Sequence, residues 1–175
     1  QSLNLESSLF NYANLDLPPH YMDEEAGISD NTPFENPITD IGATLGRVLF
    51  YDKKLSANNS ISCASCHEQK AAFSDNRKFS VGLNGEETRR NSMTLINSRF
   101  YENGHFFWDE RATALEEQVL MPIQDHIEMG LTLTELEIKL SELDYYEILF
   151  QKTFGSSDVS SDRIAKALSQ FIRSI

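Results

Sequence analysis

The chain has 175 residues, a formal net charge of −12 and 40% hydrophobic residues, including 11 Phe and 6 Tyr to build a core. That length fits one domain, with room for an extension. The charge excludes a nucleic-acid binder, which needs clustered Lys and Arg; an acidic surface repels anions and suits a basic partner, or is simply solvated. No apolar run reaches the length of a membrane span, and the chain opens on Gln1 with no signal segment, which reads as a mature or trimmed form.

Residues 1–40 are rich in Asp, Asn and Pro with little periodicity, and LDLPPHYMDEEAGISDNTPFENP reads as an extended arm. Residues 41–175 carry the pattern of a folded domain. Asp40 is expected to cap a helix with Ile41, Leu45, Val48 and Leu49 on one side. Ser60 or Ser62 would cap a short helix that holds both cysteines. Residues 70–92 read as loop, with Gly82 and Gly85 at turn positions. RATALEEQVLM predicts a helix that runs to Pro122. In LTLTELEIKLSEL, Thr132 with Glu135 and Thr134 with Glu137 are two capping boxes. Asp144 would cap YYEILFQKTF, which stops at Gly155. The segment SSDRIAKALSQFIRSI puts Ile164, Ala167, Leu168, Phe171, Ile172 and Ile175 on one helical face. It shows no C-cap, which predicts a continuation into a further domain. Alternating strand patterns are scarce, so the expected class is all-α.

Both cysteines fall in ISCASCHE, as Cys63 and Cys66, with His67 directly after. A redox Cys-x-x-Cys pair belongs in a βαβ setting, which is missing here. A structural zinc site needs four ligands, and there is no second cysteine pair. Covalent haem attachment needs only what is present: two thiols one helical turn apart for the two vinyl groups, and an adjacent imidazole for the iron. Such attachment takes place outside the cytoplasm, so an exported or periplasmic protein is expected. The sixth iron ligand decides between electron transfer and reactivity. Met93, Met121, Met129, His20, His105 and His126 are the candidates, each also explicable as a core or surface residue.

The stretches NPITDIGATLGRVLFYDKKLS, SCASCH, RRNSMTLIN, FFWDERATALEEQ, PIQDHIEMG and AKALSQFIRSI occur in this order between about residue 36 and residue 175. Together they resemble the bacterial di-haem cytochrome c peroxidases, a family that includes the MauG-like proteins. The resemblance implies a cytochrome c-like haem domain, the N-terminal peroxidatic half, whose partner is a second haem domain of the same protein. It implies one covalent haem c here, held by Cys63 and Cys66 with His67 as proximal ligand. Trp108 matches the tryptophan between the two haems. Gln118 and Glu128 match the pair on the peroxide-binding side, and Phe107 matches a residue lining that pocket. Asn91 matches a ligand of a calcium ion between the domains. The implied reaction is reduction of hydrogen peroxide to water, with electrons from a small cytochrome c or a cupredoxin. Family members often form homodimers. Alternatives are a MauG-like oxidase, a mono-haem electron carrier and a haem-linked sensor. Leu83 stands where many members carry a distal histidine, which implies an iron open in the oxidised state unless His105 or His126 substitutes.

Overall fold

The computed structural model describes residues 8–21 and 29–175; the parts of the arm at 1–7 and 22–28 lie outside the described residues. Among the described residues seven α-helices are formed: α1 Asp40–Tyr51, α2 Cys63–Cys66, α3 Leu115–Gln118, α4 Met121–Gln124, α5 Leu133–Ser141, α6 Asp144–Phe154 and α7 Ser161–Arg173. Among the described residues there is no strand, only isolated bridges at Glu68–Ser74, Val81–Glu87 and Phe106–Ala112. The all-α expectation holds.

The frame is the α1–α7 pair, the most extensive helix contact among the described residues. Small residues let the two backbones meet: a Cβ added to Gly46 would lie 1.9 Å from the Ala167 carbonyl oxygen. Around that contact Leu45, Leu49 and Phe50 of α1 join Leu168, Phe171 and Ile172 of α7 in one core with Leu149 and Phe150 of α6. Burying one such side chain is worth about 2 kcal/mol, against about 1 kcal/mol for a helix cap. Packing of this face therefore holds the helices, and the caps trim their ends.

Several ends differ from expectation. Thr39, not Asp40, caps α1, its Oγ1 accepting from Gly42 N–H at 3.1 Å. The Asp40 carboxylate is engaged elsewhere, accepting the Tyr12 and Ala13 N–H groups at 2.8 and 2.9 Å and so fixing the arm to α1. Ser62 heads the cysteine helix, with the Ser65 hydroxyl accepting the Ser62 N–H at 3.0 Å. Thr132 and Glu135 form the capping box of α5, while Glu137 accepts the Ser161 N–H at 2.6 Å and ties α5 to α7. Leu143, not Asp144, precedes α6, and Asp144 lies in the first turn, where its charge complements the helix N-terminus. Gly155 closes α6 at φ +79°, a left-handed conformation suited to glycine.

The helix predicted from Arg111 to Pro122 is the largest correction. Ala112 exchanges both backbone hydrogen bonds with Phe106, so a loop persists until Ala114 and α3 begins only at Leu115. Pro122 does not end a helix; it occupies the first turn of α4, where its missing N–H has no partner to lose.

Candidate active site in the Cys63–Glu128 cavity

The residues singled out in the sequence converge. Cys63, Cys66, His67, Asn91, Phe107, Trp108, Gln118 and Glu128 all line one cavity of about 940 Å³. That volume is at the upper end for small-molecule and cofactor sites. The short α2 helix and three loops supply most of these residues, α3 supplies Gln118, and Phe50 of α1 with Leu168 and Ile172 of α7 also line it.

In α2 the thiols project one turn apart and His67 closes the turn, donating its N–H to the Cys63 carbonyl at 2.9 Å. The chain then reverses through the Glu68–Ser74 bridge, with Ala72 and Phe73 both in the left-handed region at φ 56° and 53°. This reversal brings the Phe73 carbonyl within 3.0 Å of His67 Nδ1. An N–H at Nδ1 leaves Nε2 with its lone pair, the form in which imidazole binds a metal. Burial also holds His67 below its ordinary value, so the ring is neutral at pH 7.

Both cysteines are free thiols. Burial pushes Cys63 up to about 12, helped by the charges of Cys66 and Glu128, and burial raises Cys66 as well. A redox Cys-x-x-Cys pair depends on the opposite shift. Among the described residues no group of three or more His, Cys, Asp and Glu is arranged to hold a metal ion. The donor set thus consists of two thiols and one oriented imidazole on a large cavity, and that set fits a covalently attached haem.

The second loop carries the aromatic residues. Within the Phe106–Ala112 bridge, Phe107 and Glu110 are left-handed at φ 73° and 52°. Glu110 is anchored by Tyr101 Oη–H and by Asn103. The Arg111 guanidinium stacks 3.6 Å above the Phe107 ring and pairs with Asp109 at 2.8 Å; Arg90 pairs with the other Asp109 oxygen at 2.8 Å. Trp108 is not the buried core aromatic that a single tryptophan usually is. It is 60% exposed, and its indole N–H donates to the Asn91 carbonyl at 2.9 Å. Asn91 in turn donates its side-chain amide to the carbonyls of Asp75 and Arg77 at 3.1 and 2.7 Å.

The third loop presents Glu128. Asp125 Oδ1 accepts the N–H groups of Ile127 and Glu128 at 2.8 and 3.3 Å. The 81–86 loop braces it: Leu83 N–H donates to the Ile127 carbonyl at 3.0 Å. Gly82 is required there, since a Cβ would lie 1.8 Å from that same carbonyl oxygen. Burial raises the Glu128 carboxyl above the ordinary glutamate range; Asp125 adds to this and Arg111 opposes it. Leu83 packs near Gly130 and is not among the lining residues. Of the candidate sixth ligands, Met93, Met129 and His105 line the cavity, whereas Met121, His20 and His126 do not.

Three contributors escaped the sequence. Arg111 pairs with Asp109, lines the cavity and acts on Glu128 through its charge. Asp125 both shapes the Glu128 turn and raises its carboxyl. The Phe73 carbonyl orients His67. A carboxylate three residues before another was the available signal for Asp125; a backbone carbonyl leaves none.

The sequence pattern of the di-haem cytochrome c peroxidases matches residues 41–175. The methylamine utilization protein MauG of Methylophilus methylotrophus is 36% identical over 143 residues, covering 82% of this chain and 42% of that protein. The cytochrome c551 peroxidase of Nitrosomonas europaea is 39% identical over 129 residues, covering 74% and 38%. The crystal structure of a MauG-like protein associated with microbial copper homeostasis aligns with a TM-score of 0.80 at 34% identity, over 93% of this chain and 46% of that one. The chain therefore spans about two fifths of the length of these curated relatives. It belongs to the di-haem cytochrome c peroxidase family.

Proposed function

We propose that the chain is a peroxide-reducing haem c domain. Cys63 and Cys66 would hold one haem through thioethers, and His67 would ligate its iron through Nε2. When bound, that group supplies the electrons and the iron site at which the peroxide O–O bond is reduced. The observation that carries the proposal is a half-buried carboxyl, Glu128, on the same cavity as the two thiols and the oriented imidazole.

The chain's own residues divide the remaining work. The Glu128 carboxylate accepts a proton from the bound peroxide oxygen and returns it to the departing one, which leaves as water. Its raised pKa suits both transfers, because the proton is held but not trapped. Gln118 offers an amide that orients peroxide or water by hydrogen bonds. Arg111, stacked on Phe107, balances the carboxylate charge. Trp108 stands exposed at the rim, where electrons from a second haem domain would enter, supplied by a small cytochrome c or a cupredoxin. The Asn91 amide N–H₂ faces two carbonyls, which leaves its oxygen as the atom for a calcium ion. Haem attachment outside the cytoplasm makes the periplasm the expected location.

Visible and EPR spectra of the haem-loaded ferric chain test the proposal. A high-spin signal that changes on adding peroxide, with the change slowed in Glu128→Gln, is the expected result. A low-spin signal indifferent to peroxide would overturn it in favour of an electron carrier, with Met93, Met129 or His105 as the sixth ligand to substitute. A MauG-like oxidation of another molecule shares the peroxide step and differs only in the electron source, which the same spectra followed with and without a reduced donor protein would separate.

A further inference from the structure

One cluster of oxidisable side chains lies outside the peroxide site. Tyr145 and Tyr146, neighbours at the start of α6, both donate their hydroxyls to the same atom, Asp52 Oδ2, at 2.8 and 2.9 Å. The other Asp52 oxygen accepts the Lys54 N–H at 2.9 Å, which fixes the carboxylate. The two phenol rings are 4.6 Å apart between centroids. Tyr146 is fully buried in the core cluster against which Cys63 packs; it does not itself line the cavity, but Phe50 of the same cluster does. Tyr145 is only half-buried. The pair therefore leads from the thiol side of the cavity toward solvent.

Satisfying one buried hydroxyl needs one acceptor, which any carbonyl could supply. Two phenols sharing one carboxylate is a different arrangement, because each has a base at hydrogen-bond distance. Losing an electron alone would leave a phenol radical cation in a buried site, at a high desolvation cost. With the base in place the proton leaves as the electron does, and the product is a neutral phenoxyl. Burial and the Asp52 charge hold both phenols protonated well above the ordinary tyrosine range, so the hydroxyl protons stay in place until oxidation.

We propose that Tyr146, Tyr145 and Asp52 form a one-electron relay that carries an oxidising equivalent from the haem cavity to the surface. The proposal rests on the peroxidase reading above. Peroxide is the oxidant: two electrons and two protons convert it to two waters. One of those electrons comes from Tyr146, whose hydroxyl proton passes to Asp52 Oδ2; the other comes from the bound haem, and the two protons that peroxide takes up come from solvent water. Tyr145 then gives an electron to the Tyr146 phenoxyl; Asp52 returns its proton to Tyr146 and takes the one that Tyr145 releases. The phenoxyl now lies on Tyr145, where an external one-electron donor reduces it and Asp52 gives the proton back.

The test is freeze-quench EPR of the haem-loaded chain after mixing with hydrogen peroxide, with the visible spectrum recorded in parallel and ring-deuterated tyrosine used for assignment. The expected result is an organic-radical signal that narrows on deuteration. It should be lost in Y146F and in the Y145F/Y146F double variant, and confined to a single tyrosine in Y145F. D52N, which keeps both phenols but removes the base, should also lose it. A visible spectrum untouched by peroxide overturns the peroxidase reading and the relay with it. A spectrum that changes with no tyrosyl signal, or with one that survives in the double variant or undiminished in D52N, overturns the relay alone. Y145F, at the half-buried position, keeps the test open if Y146F fails to fold.

Discussion

Both oxygens of Glu116 grip the guanidinium of Arg173, at 2.5 and 3.0 Å, and the Arg173 side chain is only 2% exposed. The pair joins α3, which leads into Gln118 on the cavity, to the end of α7. Asn36 of the arm donates to the same Glu116 carboxylate at 2.7 Å and accepts from Gln170 at 2.8 Å, so arm, α3 and α7 share one polar junction. Burial raises the Glu116 carboxyl, but the Arg173 hydrogen bonds and charge, with Asn36, outweigh it and hold the group below its ordinary 4.5. A depressed carboxyl contributes stability that is complete above 4.5 and lost as pH falls through the folded value. Urea midpoints measured against pH should therefore drop on the acid side of 4.5. Glu116→Gln should be destabilised by about 3 kcal/mol at pH 7, because it leaves a buried unpaired guanidinium, and should lack that acid-side drop.

Gly46 is where α1 and α7 touch backbone to backbone. An alanine there sets a methyl 1.9 Å from the Ala167 carbonyl oxygen, and only a helix shift relieves it. At Gly42 the nearest atom, at 2.1 Å, is Gln170 Oε1, a side-chain end whose movement costs its hydrogen bonds to Thr39 and Asn36 but no helix shift. Gly46→Ala should cost about 2–3 kcal/mol, as overpacking in a closed interface does. Gly42→Ala should cost less, and urea denaturation of the two variants checks the order.

The parts of the fold legible in the sequence are those where burial is periodic. The Ile164–Ile172 face of α7 and the Leu45–Leu49 face of α1 can be read because a buried stripe repeats at helical spacing. Cys63, Cys66 and His67 are legible because thioether attachment dictates residue type and spacing at once. The loops are not. Phe107, Ala72 and Phe73 adopt left-handed backbones without the glycine that would have marked them. The Phe106–Ala112 bridge that delays α3 is a pairing between residues with no strand pattern around them. Arg111 comes to lie on Phe107 because that loop turns so tightly, and nothing in the sequence marks the contact.

Trp108 should prove dispensable for folding. It is 60% exposed and its one hydrogen bond, to the Asn91 carbonyl, lies at the surface. Trp108→Phe should change stability by less than about 1 kcal/mol. As the single tryptophan of the chain, it should report its own exposure: in haem-free protein, acrylamide, an uncharged quencher, should quench its fluorescence strongly. A buried indole, shielded from acrylamide, would contradict the geometry at the cavity rim.

Glu128 should behave in the opposite sense to Glu116. Burial first, and the neighbouring Asp125 second, raise its carboxyl above 4.5. The folded state then holds the proton more tightly than the unfolded chain, so this group favours folding at low pH and that contribution is lost as pH rises through its folded value. Above that value an ionised carboxylate is kept in a partly apolar cavity, a cost to stability that the proposed peroxide chemistry would require. Glu128→Gln, nearly the same shape without the charge, should therefore raise the urea midpoint at pH 7 and lose that advantage on the acid side of 4.5. Asp125→Asn keeps the oxygen that accepts the Ile127 and Glu128 N–H groups but removes the charge that raises Glu128. In haem-loaded protein it should move the acid limb of the peroxide reaction to lower pH. An unmoved limb would assign that limb to a group other than Glu128.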